Sequence, residues 1–156
     1  MAEKLVKDLM ETNVISVTED TTIGELSRLL LKYNITGVPV VDKNNKLIGM
    51  VTDADIITEN LSPIFPIYFD PLIMSYAYID NFEQRQKDIK AYLSTRVEEI
   101  MTRRVKAVKE DTPVSDAVKI MVKDRVNRIP VVDENNKVVG ILARADILKS
   151  MLSDNG

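Results

Sequence analysis

Apolar positions along the chain follow two different spacings, and each spacing occurs twice. Residues 23–33 and 114–125 carry apolar side chains three or four positions apart, which predicts amphipathic helices. Each helix is followed by two short runs rich in β-branched residues, VPVVD with KLIGMV and IPVVD with KVVGIL. The runs are joined at paired asparagines, which tolerate positive φ. Each pair therefore predicts a hairpin with a tight turn.

The segments before the two helices are also alike. Small strands are predicted at Val14–Val17 and Val105–Val108. Thr21 and Thr112 are candidate N-caps because a threonine hydroxyl can accept a hydrogen bond from a free N–H group of the first turn. Pro113 is expected at the first helical position, where its missing N–H costs nothing.

The two halves align without a gap at an offset of 91 residues, Val6–Ile57 against Val97–Leu148, and nineteen of the 52 aligned positions are identical. This extent of identity indicates an internal duplication. A closing helix is expected near Thr52 and again near Ala143, so each repeat is a β-α-β-β-α unit of an α/β (α+β) fold. One unit alone would bury little apolar surface, and two packed units are the expected solution.

Composition narrows the range of functions. The net charge of −3 argues against a nucleic-acid-binding face, which usually needs concentrated basic residues. The chain has no cysteine and no histidine, which excludes disulfides and thiolate metal sites and removes the commonest general base. The N-terminus has no signal-like apolar run, and the most apolar stretch, residues 61–79, is interrupted by prolines. A cytoplasmic protein without a membrane segment is expected.

Several motifs in combination resemble a tandem pair of CBS domains, a Bateman module. They are TGVPVVD with NRIPVVD, GMVTDADI with GILARADI, and the leading DLM and EIM. The resemblance implies two repeats packed with pseudo-twofold symmetry and two clefts that bind adenosine-containing ligands. It also implies a regulatory protein that performs no chemistry and forms a homodimer.

In this family each cleft takes the Thr/Ser-x-x-Asp of one repeat, for ribose and phosphate, and the first strand and proline-containing run of the other, for adenine. The resemblance therefore implies a first site with both Thr52 and Asp55, to which Arg128 could add a bidentate phosphate contact. The residues of this first site are Met50, Thr52, Asp55, Val105, Lys106, Arg128, Ile129 and Pro130.

The second implied site departs from the family pattern. Ala143 replaces the hydroxyl residue, and Gly37 stands where the first site has Arg128. Arg144 is a candidate to compensate, although a position one step round the turn can also face solvent. This site is expected to be weaker, to prefer little or no phosphate, or to be empty. Its residues are Val14, Ile15, Gly37, Val38, Pro39, Arg144 and Asp146.

Simpler interpretations stay open for the same residues. Asp55 and Asp146 could each complement a helix dipole, and Thr52 could be an ordinary N-cap. Pro39 and Pro130 could be purely structural, and Arg128 could be a solvated surface charge.

The connection between the repeats holds seven of the eight aromatic residues of the chain. This content is not typical of a flexible linker. Residues 82–93 predict a helix with Phe82, Ile89 and Leu93 on one face. The insert is interpreted either as additional core or as a dimer or partner surface.

We therefore expect a first repeat at residues 1–60, an insert at 61–95 and a second repeat at 96–156. The expected function is a stand-alone regulatory protein that binds AMP before ADP or ATP, or S-adenosylmethionine, and modulates a partner in trans. No cofactor, catalytic residue or metal site is expected. The alternatives are a dimerisation module without nucleotide and, with little support, a small hydrolase or transferase that uses aspartates.

Overall fold

A computed structural model describes residues 2–58, 61 and 82–155 of the chain. Most of the aromatic insert, residues 59–60 and 62–81, lies outside the described residues. The described helices are α1 (Val6–Leu9), α2 (Ile23–Tyr33), α3 (Asp53–Ile56), α4 (Phe82–Leu93), α5 (Val114–Asp124) and α6 (Arg144–Asn155). The strands are β1 (Gly37–Val41), β2 (Leu47–Thr52), β3 (Arg128–Val132) and β4 (Val138–Ala143). The mixed α+β class is confirmed.

The two long amphipathic helices predicted by the apolar spacing are both present. In α2 the side chains of Ile23 and Leu26 are fully buried, and in α5 Ala117 and Met121 are buried. Each helix ends in a residue with left-handed backbone conformation, Asn34 with φ 52° and its counterpart in the second repeat with φ 54°. This conformation lets the chain leave the helix toward the following strand.

The predicted N-caps are wrong by one residue. Thr22, not Thr21, is the N-cap of α2, and its hydroxyl accepts a hydrogen bond from the Glu25 N–H at 3.1 Å. The Thr21 hydroxyl instead accepts from the N–H of Thr18 in the preceding turn, also at 3.1 Å. Pro113 is the N-cap of α5 rather than its first residue, because its ψ of 139° is not helical.

Both hairpin turns use the same local chemistry. One carboxylate oxygen of Asp133 accepts hydrogen bonds from the backbone N–H groups of Asn135 and Lys137, at 2.8 and 3.0 Å. The next asparagine in each turn, Asn45 or Asn136, has φ of 63°, as the paired asparagines predict. Strands β3 and β4 pair antiparallel with an irregularity between residues 131 and 132, and β1 is hydrogen-bonded to β2.

The small strands predicted at residues 14–17 and 105–108 are reduced to single bridges. Val17 makes a parallel bridge to β1, donating to the Pro39 carbonyl at 3.1 Å and accepting from the Val41 N–H at 2.8 Å. The next bond of a parallel ladder would need an N–H at Pro39, and proline has none. Val108 bridges to β3 in the same way beside Pro130. The prolines therefore end both ladders.

The described chain separates into two compact units. The first contains Met1–Val17, Pro39–Met50 and Thr102–Gly156, and the second contains Thr18–Val38 and Val51–Met101.

In the first unit, the leading segment of the first repeat packs on the second repeat. The Val6 N–H donates to the Thr112 carbonyl at 2.8 Å, and the side chain of Val6 lies in a core with Ile129 and Leu142. Glu11 forms a two-bond antiparallel bridge with Ile141 of β4.

In the second unit, the leading segment of the second repeat packs on the first. The Val97 N–H donates to the Thr21 carbonyl at 2.8 Å, and the Ile23 N–H donates to the Thr95 carbonyl at 2.8 Å. Each leading segment therefore docks on the repeat to which it does not belong in sequence.

The two asparagine turns meet in the first unit and bond to each other reciprocally. The Leu47 N–H donates to the Asn136 carbonyl at 3.0 Å, and the Val138 N–H donates to the Asn45 carbonyl at 3.1 Å. The Asn45 side-chain amide also donates to the Val138 carbonyl at 3.0 Å, and the Asn136 amide donates to the Leu47 carbonyl at 3.2 Å. The turns thus join the two hairpins.

Candidate functional site

The turn between β2 and α3 holds the Thr-x-x-Asp motif of the first repeat. The Thr52 N–H donates to Oδ2 of Asp55 at 2.8 Å, and the Thr52 hydroxyl donates to the same oxygen at 3.3 Å. A further hydrogen bond ties the turn to the residue before β1: the Asp53 N–H donates to the Thr36 carbonyl at 2.8 Å. Both motif side chains are partly exposed. They present a hydroxyl and a carboxylate side by side, a combination that can bind a polyol.

The second repeat builds the same turn without the hydroxyl. The Ala143 N–H donates to Oδ2 of Asp146 at 2.8 Å, and the Arg144 N–H donates to the Asn127 carbonyl at 3.0 Å. Asp146 therefore stabilises the start of α6 whether or not a ligand is present. The side chain of Arg144 is exposed. The retained aspartates have a shared structural role, and only the first repeat adds a second polar group.

The residues expected to contact adenine fall into two groups. The side chains of Val38, Pro39, Ile129 and Pro130 are fully buried. Because Ile129 packs with Val108 and Met121 in the core, any contact it makes with a ligand would go through its backbone. Gly37 is buried at the start of β1.

Val14, Ile15 and Val105 are only partly buried, and Lys106 is exposed. They lie just before Val17 and Val108, in the segments whose parallel pairing is stopped by a proline of the partner strand. The backbone beyond each bridge is not used by that ladder and is suited to bond the edge of a base.

Met50 lies beside the first-strand segment of the second repeat. Its N–H and carbonyl both bond to Thr102 at 2.9 Å, three residues before Val105. The first compact unit contains Met50 and the five second-repeat residues implied for the first site. The second compact unit contains Thr52 and Asp55.

The two cations expected near the first site differ in environment. The Lys106 Nζ pairs with Oδ2 of Asp124 at 3.3 Å, and its side chain is 54% exposed, so this pair contributes little to stability. Arg128 is the first residue of β3 and is partly buried. Its partial burial distinguishes it from the exposed Lys106.

One residue that contacts the end of α3 was not among the candidates from the sequence. The Tyr92 hydroxyl, on α4, donates to the Ile56 carbonyl at the end of α3, at 2.6 Å. Burial raises the pKa of Tyr92 above its ordinary value, the Thr58 hydroxyl acts in the opposite direction, and the negative charge of Asp55 adds to the rise. The sequence did carry a signal, because residue 92 follows Ile89 at helical spacing.

Two further features of the described residues bear on the kind of site. Across the described ranges, no group of three or more Asp or Glu side chains is arranged to hold a metal ion. None of the described helices combines the length and the apolar character needed to cross a membrane.

A family model and several known proteins match this chain. The CBS-domain family model matches residues 6–62 and 97–153. Uncharacterized protein MJ1426 of Methanocaldococcus jannaschii is 34% identical over 154 residues, which cover 95% of this chain and 91% of that protein. Two longer relatives are matched over only 24% and 38% of their own length.

Two solved structures are similar over almost the whole chain. The CBS domain pair of protein MJ0100, in complex with 5′-methylthioadenosine and S-adenosyl-L-methionine, is 29% identical with a TM-score of 0.71, covering 98% of this chain and 99% of that one. CBSX2 of Arabidopsis thaliana, in complex with AMP, is 27% identical with a TM-score of 0.71, covering 97% of this chain and 98% of that one. Adenosine-containing ligands are thus bound by both of these neighbours.

Proposed function

Because this chain belongs to the CBS-domain family and carries two of its repeats, we propose that it is a regulatory adenosyl-ligand sensor without catalytic activity. The proposed ligand is AMP, then ADP or ATP, with S-adenosylmethionine as a further candidate. Occupancy is proposed to modulate a partner protein in trans, in the cytoplasm.

The observation that carries this proposal is the difference between the two Thr/Ser-x-x-Asp turns. Asp55 and Asp146 make the same 2.8 Å backbone bond, so the aspartate alone is explained by local structure. Thr52, the N-cap of α3, adds a hydroxyl that donates to the same Asp55 oxygen at 3.3 Å and that Ala143 cannot supply. A hydroxyl beside a carboxylate suits a ribose phosphate, because the carboxylate accepts from sugar hydroxyls and the hydroxyl donates to phosphate oxygen.

The first site is therefore proposed to bind tightly and the second weakly or not at all. Arg128 supports this order, since an arginine can grip a phosphate bidentately and the equivalent residue, Gly37, cannot. The bound adenosyl ligands of both similar structures support the ligand class.

The proposed mechanism is a shift between conformations. A ligand that contacts residues from both repeats favours the arrangement in which all of those contacts form, by as much as its affinity differs between the arrangements. Homodimerisation is proposed as well. It rests on the family resemblance, which implies that such modules form dimers.

Isothermal titration calorimetry with AMP, ADP, ATP and S-adenosylmethionine tests the proposal. We expect one tight site per chain for at least one of the four, and an increase in melting temperature with that ligand. Thr52→Ala should weaken AMP binding, and the second-repeat variant Ala143→Ser, at the matched position, should not. If none of the four compounds binds or raises the melting temperature, the dimerisation module without nucleotide is the better description.

A further inference from the structure

Helix α3 is too short to hold its own position. It spans four residues, and one hydrogen bond closes its turn, from the Ile57 N–H to the Asp53 carbonyl at 2.9 Å. Ile57 then leaves the helical region, with φ −93° and ψ 86°. Isolated helical turns are unstable in water, so the conformation of α3 depends on contacts at its two ends.

The start and the end of α3 are held by different elements. At the start, Asp55 caps the Thr52 N–H, and Asp53 bonds to the Thr36 carbonyl. At the end, the carbonyl of Ile56 accepts the 2.6 Å bond from the Tyr92 hydroxyl. That bond comes from the insert and not from the repeat.

The insert helix that carries Tyr92 is itself fixed in place. A Cβ added at Gly24 would lie 3.2 Å from the Leu93 carbonyl oxygen, so the end of α4 packs directly on the first turn of α2. The Thr95 carbonyl, two residues later, accepts a bond from the Ile23 N–H at 2.8 Å. Tyr92 therefore donates from a rigid support.

The second repeat has no need of such a support. Its closing helix α6 has 12 residues, and Ile147, the counterpart of Ile56, packs against the apolar core. The tyrosine contact thus occurs in the repeat that has both Thr52 and Asp55.

We propose that Tyr92 is a positioning residue for the adenosyl-ligand site. Its hydroxyl holds the end of α3, and α3 in turn sets where the Asp55 carboxylate meets a ribose. This inference rests on the proposed function, and it makes the insert part of the support of the first site. The phenol is neutral at physiological pH even at its ordinary pKa of 10.0, and burial raises that pKa further, so the hydroxyl remains a donor.

The test compares Tyr92→Phe with Ser94→Ala in the full chain. Tyr92→Phe keeps the ring and removes the hydroxyl. Ser94→Ala also removes a side-chain bond from the end of α4, the 2.9 Å bond to the Lys90 carbonyl, without affecting α3. Calorimetry with AMP should show affinity about threefold to tenfold lower in Tyr92→Phe, as expected for one lost hydrogen bond, and unchanged in Ser94→Ala.

Amide hydrogen exchange supplies the second readout. Tyr92→Phe should speed exchange of the Ile57 amide and leave the amide of Leu148, its counterpart in the second repeat, unchanged. In the wild-type chain AMP should slow exchange of the Ser94 amide, which bonds to the Lys90 carbonyl at the end of α4 beside Tyr92, because coupling between two sites is reciprocal. Unchanged exchange at Ser94 in the presence of AMP would refute the positioning role. This last measurement needs no variant and decides the matter if Tyr92→Phe does not fold.

The outcomes separate the inference from the function on which it rests. If wild-type protein binds AMP, Asp55→Ala abolishes binding and Tyr92→Phe binds as wild type does, the function stands and the positioning role is refuted. Equal losses in Tyr92→Phe and Ser94→Ala would indicate general weakening of α4 and also refute it. A wild-type chain that does not bind AMP refutes the proposed first ligand and the inference together.

Discussion

Replacing each motif aspartate by alanine separates the structural role of the residue from its role in binding. Asp55→Ala and Asp146→Ala remove the same 2.8 Å capping bond from equivalent turns. Loss of a capping bond costs about 1 kcal/mol, which for a domain of this size lowers the melting temperature by about 2–4 °C. The two variants should therefore lose similar stability in the absence of ligand.

Binding should distinguish the two variants. Two charge-assisted hydrogen bonds from ribose hydroxyls to Asp55 contribute about 1.5–3 kcal/mol each. Asp55→Ala should raise the Kd for AMP at the tight site by at least about a hundredfold. Asp146→Ala should leave that Kd within about twofold, because it removes the cap alone.

Thermal unfolding without ligand and calorimetry with AMP measure the two effects on the same samples. If both variants lose affinity equally, the assignment of the repeats to the two sites is wrong. If Asp55→Ala loses stability but keeps its affinity, Asp55 is a helix cap and nothing more.

Three further predictions concern the repeats themselves. Arg125→Gly should stabilise the chain by about 0.5–1 kcal/mol, because the left-handed backbone conformation at φ 54° is unfavourable for arginine and not for glycine. Asn34→Gly should change stability little, because asparagine tolerates this conformation. Equal changes in the free energy of unfolding, measured with denaturant, would contradict this prediction. Gly140→Ala should destabilise the chain by about 1–3 kcal/mol. The added Cβ would lie 2.5 Å from the sulfur of Met10 and 3.2 Å from the backbone carbonyl oxygen of Glu11, so both would have to shift. An unchanged denaturation midpoint would contradict this prediction. The backbone N–H groups of Lys46 and Lys137 are the main cause of the lowered pKa values of Asp42 and Asp133, so these carboxylates stabilise the fold above their ordinary pKa of 3.8, and that contribution is lost as the pH falls through the lowered values. In Asp133→Asn the free energy of unfolding should therefore fall less steeply as the pH is lowered below 3.8. The same dependence on pH as in the wild type would contradict the assignment.

Much of the fold was predictable because it depends on local preferences. Helix α4 begins and ends where the apolar spacing placed it, at Phe82 and Leu93. The positive φ of Asn45 and Asn136 follows from side chains that tolerate that conformation. The strands predicted at residues 14–17 and 105–108 were too long, because each pairs in parallel with a distant strand that carries Pro39 or Pro130, and that pairing is not visible in the local pattern.

The candidate site was predictable only as a set of residues. The sequence identified Thr52 and Asp55 and the contrast with Ala143, since these differences appear in the aligned repeats. It left open whether the aspartates cap a helix or bind a ligand. The structure shows that both cap a helix, because each carboxylate oxygen lies 2.8 Å from a backbone nitrogen at the turn.

Tertiary structure alone decided which parts of the chain contact one another. The leading segments VKDLM and VEEIM have nearly the same apolar pattern, so periodicity cannot indicate which repeat each one covers; Val6 bonds to Thr112 and Val97 bonds to Thr21. The bond from Tyr92 to Ile56 joins residues 36 positions apart. Such pairings depend on where whole elements pack, whereas helix spacing and turn chemistry are set within a few residues of the chain.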